Sequence, residues 1–182
     1  MKITIRNYSQ KDIPAILSII NFNILNTTSI YDYNERTLEQ QTKIFNDKLL
    51  KKFPIIVAEI DNECVGFGFY SEFRFREANI FTVEHSIYVS NDFQGLGIGN
   101  LLMKKLILIA QGQNIHTMIG VIDTNNKSSI QFHEKFGFKN VGIIKETAFK
   151  FNAINSDTKK FNLLNLTVPE VGLNKVLSLI FI

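Results

Sequence analysis

The chain has 182 residues, 45% hydrophobic and 20% charged, with a net charge of +3. That length is about one domain, enough to bury roughly 70% of the unfolded surface without disulfides or metal, and the composition excludes a disordered chain. The charge lacks the clustered basic stripe of a nucleic-acid binder, and the single Cys64 excludes an internal disulfide framework or a multi-Cys zinc site. Met1–Arg6 has no apolar leader segment. No run of 18 apolar residues predicts a membrane helix, so the expected compartment is the cytoplasm.

Residues 2–6 alternate as a strand with Ile3 and Ile5 on one face. Ser9, with Asp12 three residues on, starts a helix as a capping pair. Ile13, Ile16, Leu17 and Ile20 form its apolar stripe. A polar loop, Asn26–Ser29, separates it from a second helix over 35–50. Ile55–Ile60 and Cys64–Phe73 are strands joined by the two-residue turn Asp61-Asn62, a hairpin. Gly66 and Gly68 alternate with Phe67 and Phe69, which points to a bend or a close backbone approach. Phe81–Val89 is a third strand of this region. A glycine loop, Gln94–Gly99, then opens an apolar helix over 100–111, which Gly112 stops. A strand at 115–122, a helix at 125–135 and strands at 138–145 and 161–166 complete the chain. The order β-α-α-β-β-β-α-β-α-β-β predicts an α/β fold with a mixed sheet. In a doubly wound sheet strands and helices would alternate throughout.

In Gln94-Gly95-Leu96-Gly97-Ile98-Gly99 three glycines free the backbone to turn its N–H groups toward one point. The next helix adds its unpaired N–H groups and the positive end of its dipole. Together these form an anion site suited to phosphate. A nucleotide-triphosphate loop would need Gly-Lys-Ser/Thr, where this chain has Gly99-Asn100-Leu101. A dinucleotide fold would place its glycines after the first strand, with an acid about 20 residues on. Here several strands come first, and 115–122 has no acid.

The pattern Gln94-x-x-Gly97-x-Gly99 resembles the pyrophosphate loop of the GNAT N-acetyltransferases. Asn125–Phe138 resembles that superfamily's helix and Gly-Phe turn. Thr82-Val83-Glu84-His85-Ser86-Ile87-Tyr88-Val89 is similar to the Thr-Val-Glu-x-Ser-x-Tyr-Val strand of the phosphinothricin/methionine-sulfoximine acetyltransferases. So are Asn26-Thr27-Thr28, Phe73-Arg74-x-Arg76 and Ser129-Ile130-x-Phe132-His133-Glu134. The resemblance implies a GNAT-like α/β (α+β) fold over 1–166, mostly antiparallel, with about seven strands and four helices. It leaves 167–182 as an apolar extension. It also implies acetyl-CoA as cosubstrate, no metal, a small amine acceptor and a homodimer, with no nucleic-acid or membrane partner.

Acetyl transfer to an amine needs a proton acceptor, a donor to the thioester carbonyl and a proton for the leaving thiolate. Strand parity places Glu84 with Thr82, Ser86 and Tyr88, opposite the apolar face of Phe81, Val83, Ile87 and Val89. Its two readings are a solvated strand face and a general base. By the resemblance Glu84 is the base, and burial would raise its pKa toward the working range. His133 occupies the family slot of the Tyr that protonates the coenzyme A thiolate; its other reading is a packed helix-face His. Asn126 either bonds the pantetheine or caps its helix. His85 falls on the core face and reads as structural. Backbone groups of Ile87, Tyr88 and Val89 would pair with the pantetheine arm like an added strand, with the amide near Ile87 polarising the thioester. Gln94, Gly95, Leu96, Gly97, Ile98 and Gly99 would hold the pyrophosphate. Arg74 and Arg76 are either a solvated strand end or a grip on a carboxylate or phosphinate, and Tyr31, Thr82 and Val83 would join them around the acceptor.

The chain departs from the family where Lys-Phe-Gly-x-Trp-x-Asp is expected. Here Lys150-Phe151-Asn152-Ala153-Ile154 puts Ile154 at the Trp position. The family's Arg-Gly-Lys-Gly is here Gln94-Gly95-Leu96-Gly97, two positive charges fewer, which leans phosphate binding on the backbone. Two further readings stay open: a non-catalytic acyl-CoA-binding or sensor module, and an acetyltransferase for a protein or polyamine acceptor.

Overall fold

A computed structural model of the chain describes residues 1–148, 150 and 159–169. Ile154 and the tail beyond Pro169 lie outside the described residues. The sheet has seven strands in the order β1-β2-β3-β4-β5-β7-β6: β1 Thr4–Asn7, β2 Ile55–Ile60, β3 Glu63–Glu72, β4 Thr82–Val89, β5 Thr117–Asp123, β6 Lys139–Ala148 and β7 Lys159–Thr167. Every neighbouring pair is antiparallel except β4–β5, which is parallel. Among the described residues four α-helices accompany it: α1 Ile13–Asn26, α2 Leu38–Leu50, α3 Ile98–Gly112 and α4 Lys127–Glu134. The expected strand and helix order holds throughout.

Local chemistry accounts for the boundaries. The Ser9 N–H and hydroxyl both donate to the Asp12 carboxylate, at 2.8 and 3.1 Å. The intervening turn, Gln10–Asp12, is 3-10, so α1 itself begins at Ile13, with Pro14 in its first turn. Thr37 and Gln40 form a reciprocal capping box that starts α2 three residues later than the apolar pattern suggested. Asp61 and Asn62 take φ of 48° and 67°, the two left-handed residues that a tight hairpin turn requires.

Both faces of the sheet are covered. Ile16, Ile20 and Ile24 of α1 and Phe45 of α2 pack on Ile55, Val57 and Phe67. Leu102, Met103 and Leu106 of α3 pack on Ile56, Ala58, Val65 and Tyr70 of the other face. The close approach expected at Gly66 and Gly68 is present. A Cβ on Gly66 would lie 3.0 Å from the Tyr88 carbonyl oxygen and 3.3 Å from Ile98 Cγ2; one on Gly68 would lie 3.2 Å from Leu106 Cδ1. The bare backbone of β3 thus lets the start of α3, and the glycine loop before it, settle onto the sheet beside β4. Phe81 departs from the expected apolar face. It precedes β4 and is exposed, while its carbonyl accepts from the His116 and Thr117 amides.

Candidate active site

β4 and β5 stay paired only over Thr82–Glu84 against Thr117–Ile119. Beyond those residues each strand continues, to Val89 and to Asp123, without the other. A cavity of about 690 Å³ fills the opening. Its walls are β4 from Glu84 to Val89, β5 from Gly120 to Asp123, the glycine loop, and α4 with its cap. Asn23, Thr28, Ser29 and Tyr31 close it from the α1 side.

The loop takes the glycine-dependent turn expected of it. Gly95 and Gly97 take φ of 80° and 79°, and a Cβ on either would meet nothing within 4 Å. Conformation, not crowding, therefore requires glycine here. No side chain caps the N-terminus of α3, so its first amides face the cavity unclaimed. Gln94, Gly95, Gly97 and Gly99 line the cavity. Ile98 also lines it, with its side chain buried in the core over Gly66, while Leu96 is exposed outside the lining.

Glu84 is half-buried on the α1–α2 side of β4, across from Ser71 of β3. Burial raises its pKa above the ordinary carboxylate range, and the charge of Lys48 opposes that rise. The Tyr31 hydroxyl donates to the buried Asp123 carboxylate at 3.3 Å, which ties the loop after α1 to the end of β5. Burial and the Asp123 charge hold its phenol well above the usual range.

His133 lies against the opposite wall, 6% exposed. Its Nδ1 is 2.6 Å from the Ser129 carbonyl oxygen, and its Nε2 is 3.1 Å from His85 Nε2. A carbonyl only accepts, so His133 carries its proton on Nδ1 and accepts at Nε2 from the His85 N–H. His85 Nδ1 then has no partner among the described residues. Burial, and next the charge of His133, push His85 down to about 3; burial also lowers His133. The pair is therefore neutral near pH 7. It packs on Phe138 and over Gly120, where a Cβ would come within 3.3 Å of both rings. Asn126 caps α4, its Oδ1 accepting from the Ser129 N–H at 3.0 Å, and also lines the cavity.

Four residues assigned to the acceptor stand elsewhere. Arg74 and Arg76 are exposed on the connection before β4 and do not line the cavity, and Arg74 lies over the Phe73 ring at 5.5 Å. Val83 is fully buried in the α3-side core, and Thr82 lies below the opening. Sequence reasoning missed Lys150. It is 3% exposed, and its ammonium donates to the carbonyls of Ile24, Thr27 and Ile30 at 2.5, 3.0 and 2.5 Å. It braces the segment that carries Thr28, Ser29 and Tyr31. Those partners are 120 or more residues away in the chain, so no local pattern signals the contact.

A family model described as the acetyltransferase (GNAT) family matches residues 20–138. The chain belongs to the GNAT acetyltransferase family. This GNAT enzyme is 34% identical over 152 residues to an L-methionine sulfoximine/L-methionine sulfone acetyltransferase of Pseudomonas aeruginosa, covering 83% of this chain and 88% of that one. Its structure is similar to a phosphinothricin acetyltransferase from Sinorhizobium meliloti in complex with acetyl-CoA, with a TM-score of 0.86, 27% identity and coverage of 96% and 92% of the two chains. It is also similar to a ribosomal-protein-alanine N-acetyltransferase from Brucella melitensis, with a TM-score of 0.86, 30% identity and coverage of 90% and 99%. This GNAT enzyme is an N-acetyltransferase. No helix among its described residues is long and apolar enough to cross a membrane.

Proposed function

We propose that this enzyme moves the acetyl group of acetyl-CoA to the primary amine of a small amino-acid-like acceptor, of the methionine sulfoximine or phosphinothricin type. The observation that carries the reading is a half-buried carboxylate, Glu84, at the point where β4 and β5 part. The chain's own groups fit the donor: left-handed glycines and an uncapped helix start for the pyrophosphate, the free edge of Ile87–Val89 for the pantetheine arm, and Asn126 beside it. Lys135, exposed at the cavity rim, adds a cation that the loop itself lacks.

In this reading Glu84 takes a proton from the acceptor ammonium, directly or through one water. The freed amine attacks the thioester carbonyl, the N–C bond forms and the C–S bond breaks. The amide near Ile87 stabilises the oxyanion. His133 supplies the thiolate proton as an imidazolium, after its Nε2 takes up a proton in place of the hydrogen bond from His85, and returns to the neutral ring with Nδ1–H still on Ser129. His133→Phe is expected to slow kcat about tenfold with the acetyl-CoA Kd unchanged; an unchanged kcat would assign that proton to water. Tyr31, in the cavity wall, serves the acceptor's entrance.

We also propose a homodimer across the outer edge of the sheet. β6 is an edge strand, with Val141 and Ile143 each 53% exposed, an apolar edge of the kind that natural sheets cover. Sedimentation should give twice the 20.8 kDa chain mass; a monomer at micromolar concentration refutes it.

An acetyl-transfer screen tests the activity over methionine sulfoximine, methionine sulfone, phosphinothricin, L-amino acids, polyamines and an N-terminal alanine peptide. Turnover should be confined to the amino-acid-like compounds. Turnover confined to polyamines or the peptide would sink the acceptor assignment, and acetyl-CoA binding with no turnover anywhere would favour a sensor.

A further inference from the structure

Lys48 of α2 extends over the α1–α2 face of the sheet and places its ammonium 4.4 Å from the centre of the Phe69 ring. Phe69 pairs with Ser86, and Ser71 pairs with Glu84. Glu84 and Ser86 are two residues apart on one face, so Phe69 is the diagonal cross-strand neighbour of Glu84, within reach of a long side chain. The Lys48 ammonium thus lies over the strand next to the one that carries Glu84, on the same face of the sheet, with an aromatic ring beneath it, and the two charges act on each other. Lys48 is half-buried, and it makes no hydrogen bond or ion pair with any described residue. Burial pulls its pKa below the usual lysine range, while Glu72 and Glu84 pull it back up.

The other charges in this neighbourhood are already matched. Arg36, ahead of α2, is paired with Asp32 at 2.8 Å. Lys51, the residue just after α2, is paired with Glu72 at the end of β3. Tyr88, further along β4, is held in its neutral form by burial, and Asn23, facing the cavity from α1, carries no charge. Lys48 is the cation of this cluster without a carboxylate of its own. A surface lysine would not need to sit there, since a partly desolvated ammonium costs stability unless something opposes it.

We propose that Lys48 is a positioning residue that keeps Glu84 ionised at neutral pH, so that the base is charged when the acceptor ammonium arrives. The inference rests on the reading of Glu84 as the base. Without Lys48, the desolvated carboxylate would hold its proton to higher pH, and the acid side of the rate profile would move upward with it. The phenylalanine ring keeps the ammonium over the sheet without neutralising it, which an ion-pair partner would do.

The test is the pH profile of kcat/KM for L-methionine sulfone in wild type, Lys48→Met, Lys48→Arg and Glu84→Gln. The acceptor's own ionisation is common to all four, so differences among the profiles belong to the enzyme. Lys48→Met keeps the stem over Phe69 and removes the charge. It should lower the rate at about pH 6 by about three- to tenfold, converge on wild type at about pH 9, and leave the acetyl-CoA Kd and melting temperature no worse. Lys48→Arg should overlay wild type. Lys48→Gln is read in the same way should the methionine variant fold poorly. Superimposable wild-type and Lys48→Met profiles, or an equal loss at every pH, would overturn the inference. A Glu84→Gln profile that superimposes on that of wild type in height and shape would instead overturn the base assignment itself.

Discussion

Glu84→Gln should lower kcat about a hundredfold or more and leave the acetyl-CoA Kd within about twofold of wild type. The amide keeps the shape and hydrogen-bonding reach of the side chain and loses only the capacity to accept a proton. In the proposed reading donor binding uses other parts of the cleft, namely the glycine loop, the free edge of β4 and the cap of α4, so it has no reason to respond. The pH dependence carries a sign as well. Burial raises the Glu84 pKa in the folded enzyme, so the active, ionised form is lost as pH falls through that raised value. Turnover should therefore fail at a higher pH than an exposed carboxylate of about 4.3 would allow. Stopped-time assays across pH 5 to pH 9, with the donor affinity read by calorimetry, check both statements. Full activity of the glutamine variant at all pH values would remove Glu84 from the chemistry.

The second large effect is expected at Gly97, whose φ of 79° places it at the N-cap of α3. Gly97→Glu should weaken acetyl-CoA binding about a hundredfold or more, combining a left-handed backbone penalty of roughly 1–2 kcal/mol with a carboxylate set against the pyrophosphate. A Cβ there meets nothing within 4 Å, so the folded structure has room for the side chain and the loss should be one of binding. Gly97→Ala separates the two contributions, since it keeps the strain and omits the charge. Calorimetry reads the affinities, and a Kd within threefold of wild type in the glutamate variant would refute a phosphate role for this loop.

Most of the fold was legible because its signals are local. The alternation of Ile55–Ile60, the Asp61-Asn62 turn, the stripe of α1 and the glycines around α3 each act within a few residues, and the strands and helices they imply are the ones present. The boundary differences have local causes too: the 3-10 turn after Ser9 delays α1, and the Thr37–Gln40 box delays α2. The wall of the candidate cleft was legible where chemistry and strand parity coincide, as at Glu84, Asn126 and the loop, all of which line the cavity. It was less so where side chains meet through tertiary packing. His85 and His133 are 48 residues apart in the chain, and only the fold turns a core histidine and a helix histidine into a hydrogen-bonded pair. Lys150 and Lys48 escaped for the same reason, since an isolated lysine looks alike whether it ends in water, on three carbonyls or over a phenylalanine. Arg74 and Arg76 drew attention by alternating on a strand end, yet the connection that bears them stays outside the cavity wall.

The short β4–β5 ladder has a consequence for how the molecule holds together. Three ladder pairs join β1 to β4 with β5, β7 and β6, so within the sheet the two halves meet at a short seam, while the core under α3 spans both. An extended ligand lying along the open edge of β4 would lengthen that seam. Donor affinity and the cohesion of the two halves then become one coupled equilibrium. The amides of Ser86–Val89 that face the opening should exchange with solvent readily in the free enzyme and slowly once the acyl donor is bound, making the donor a temporary strut of the sheet as well as a reactant.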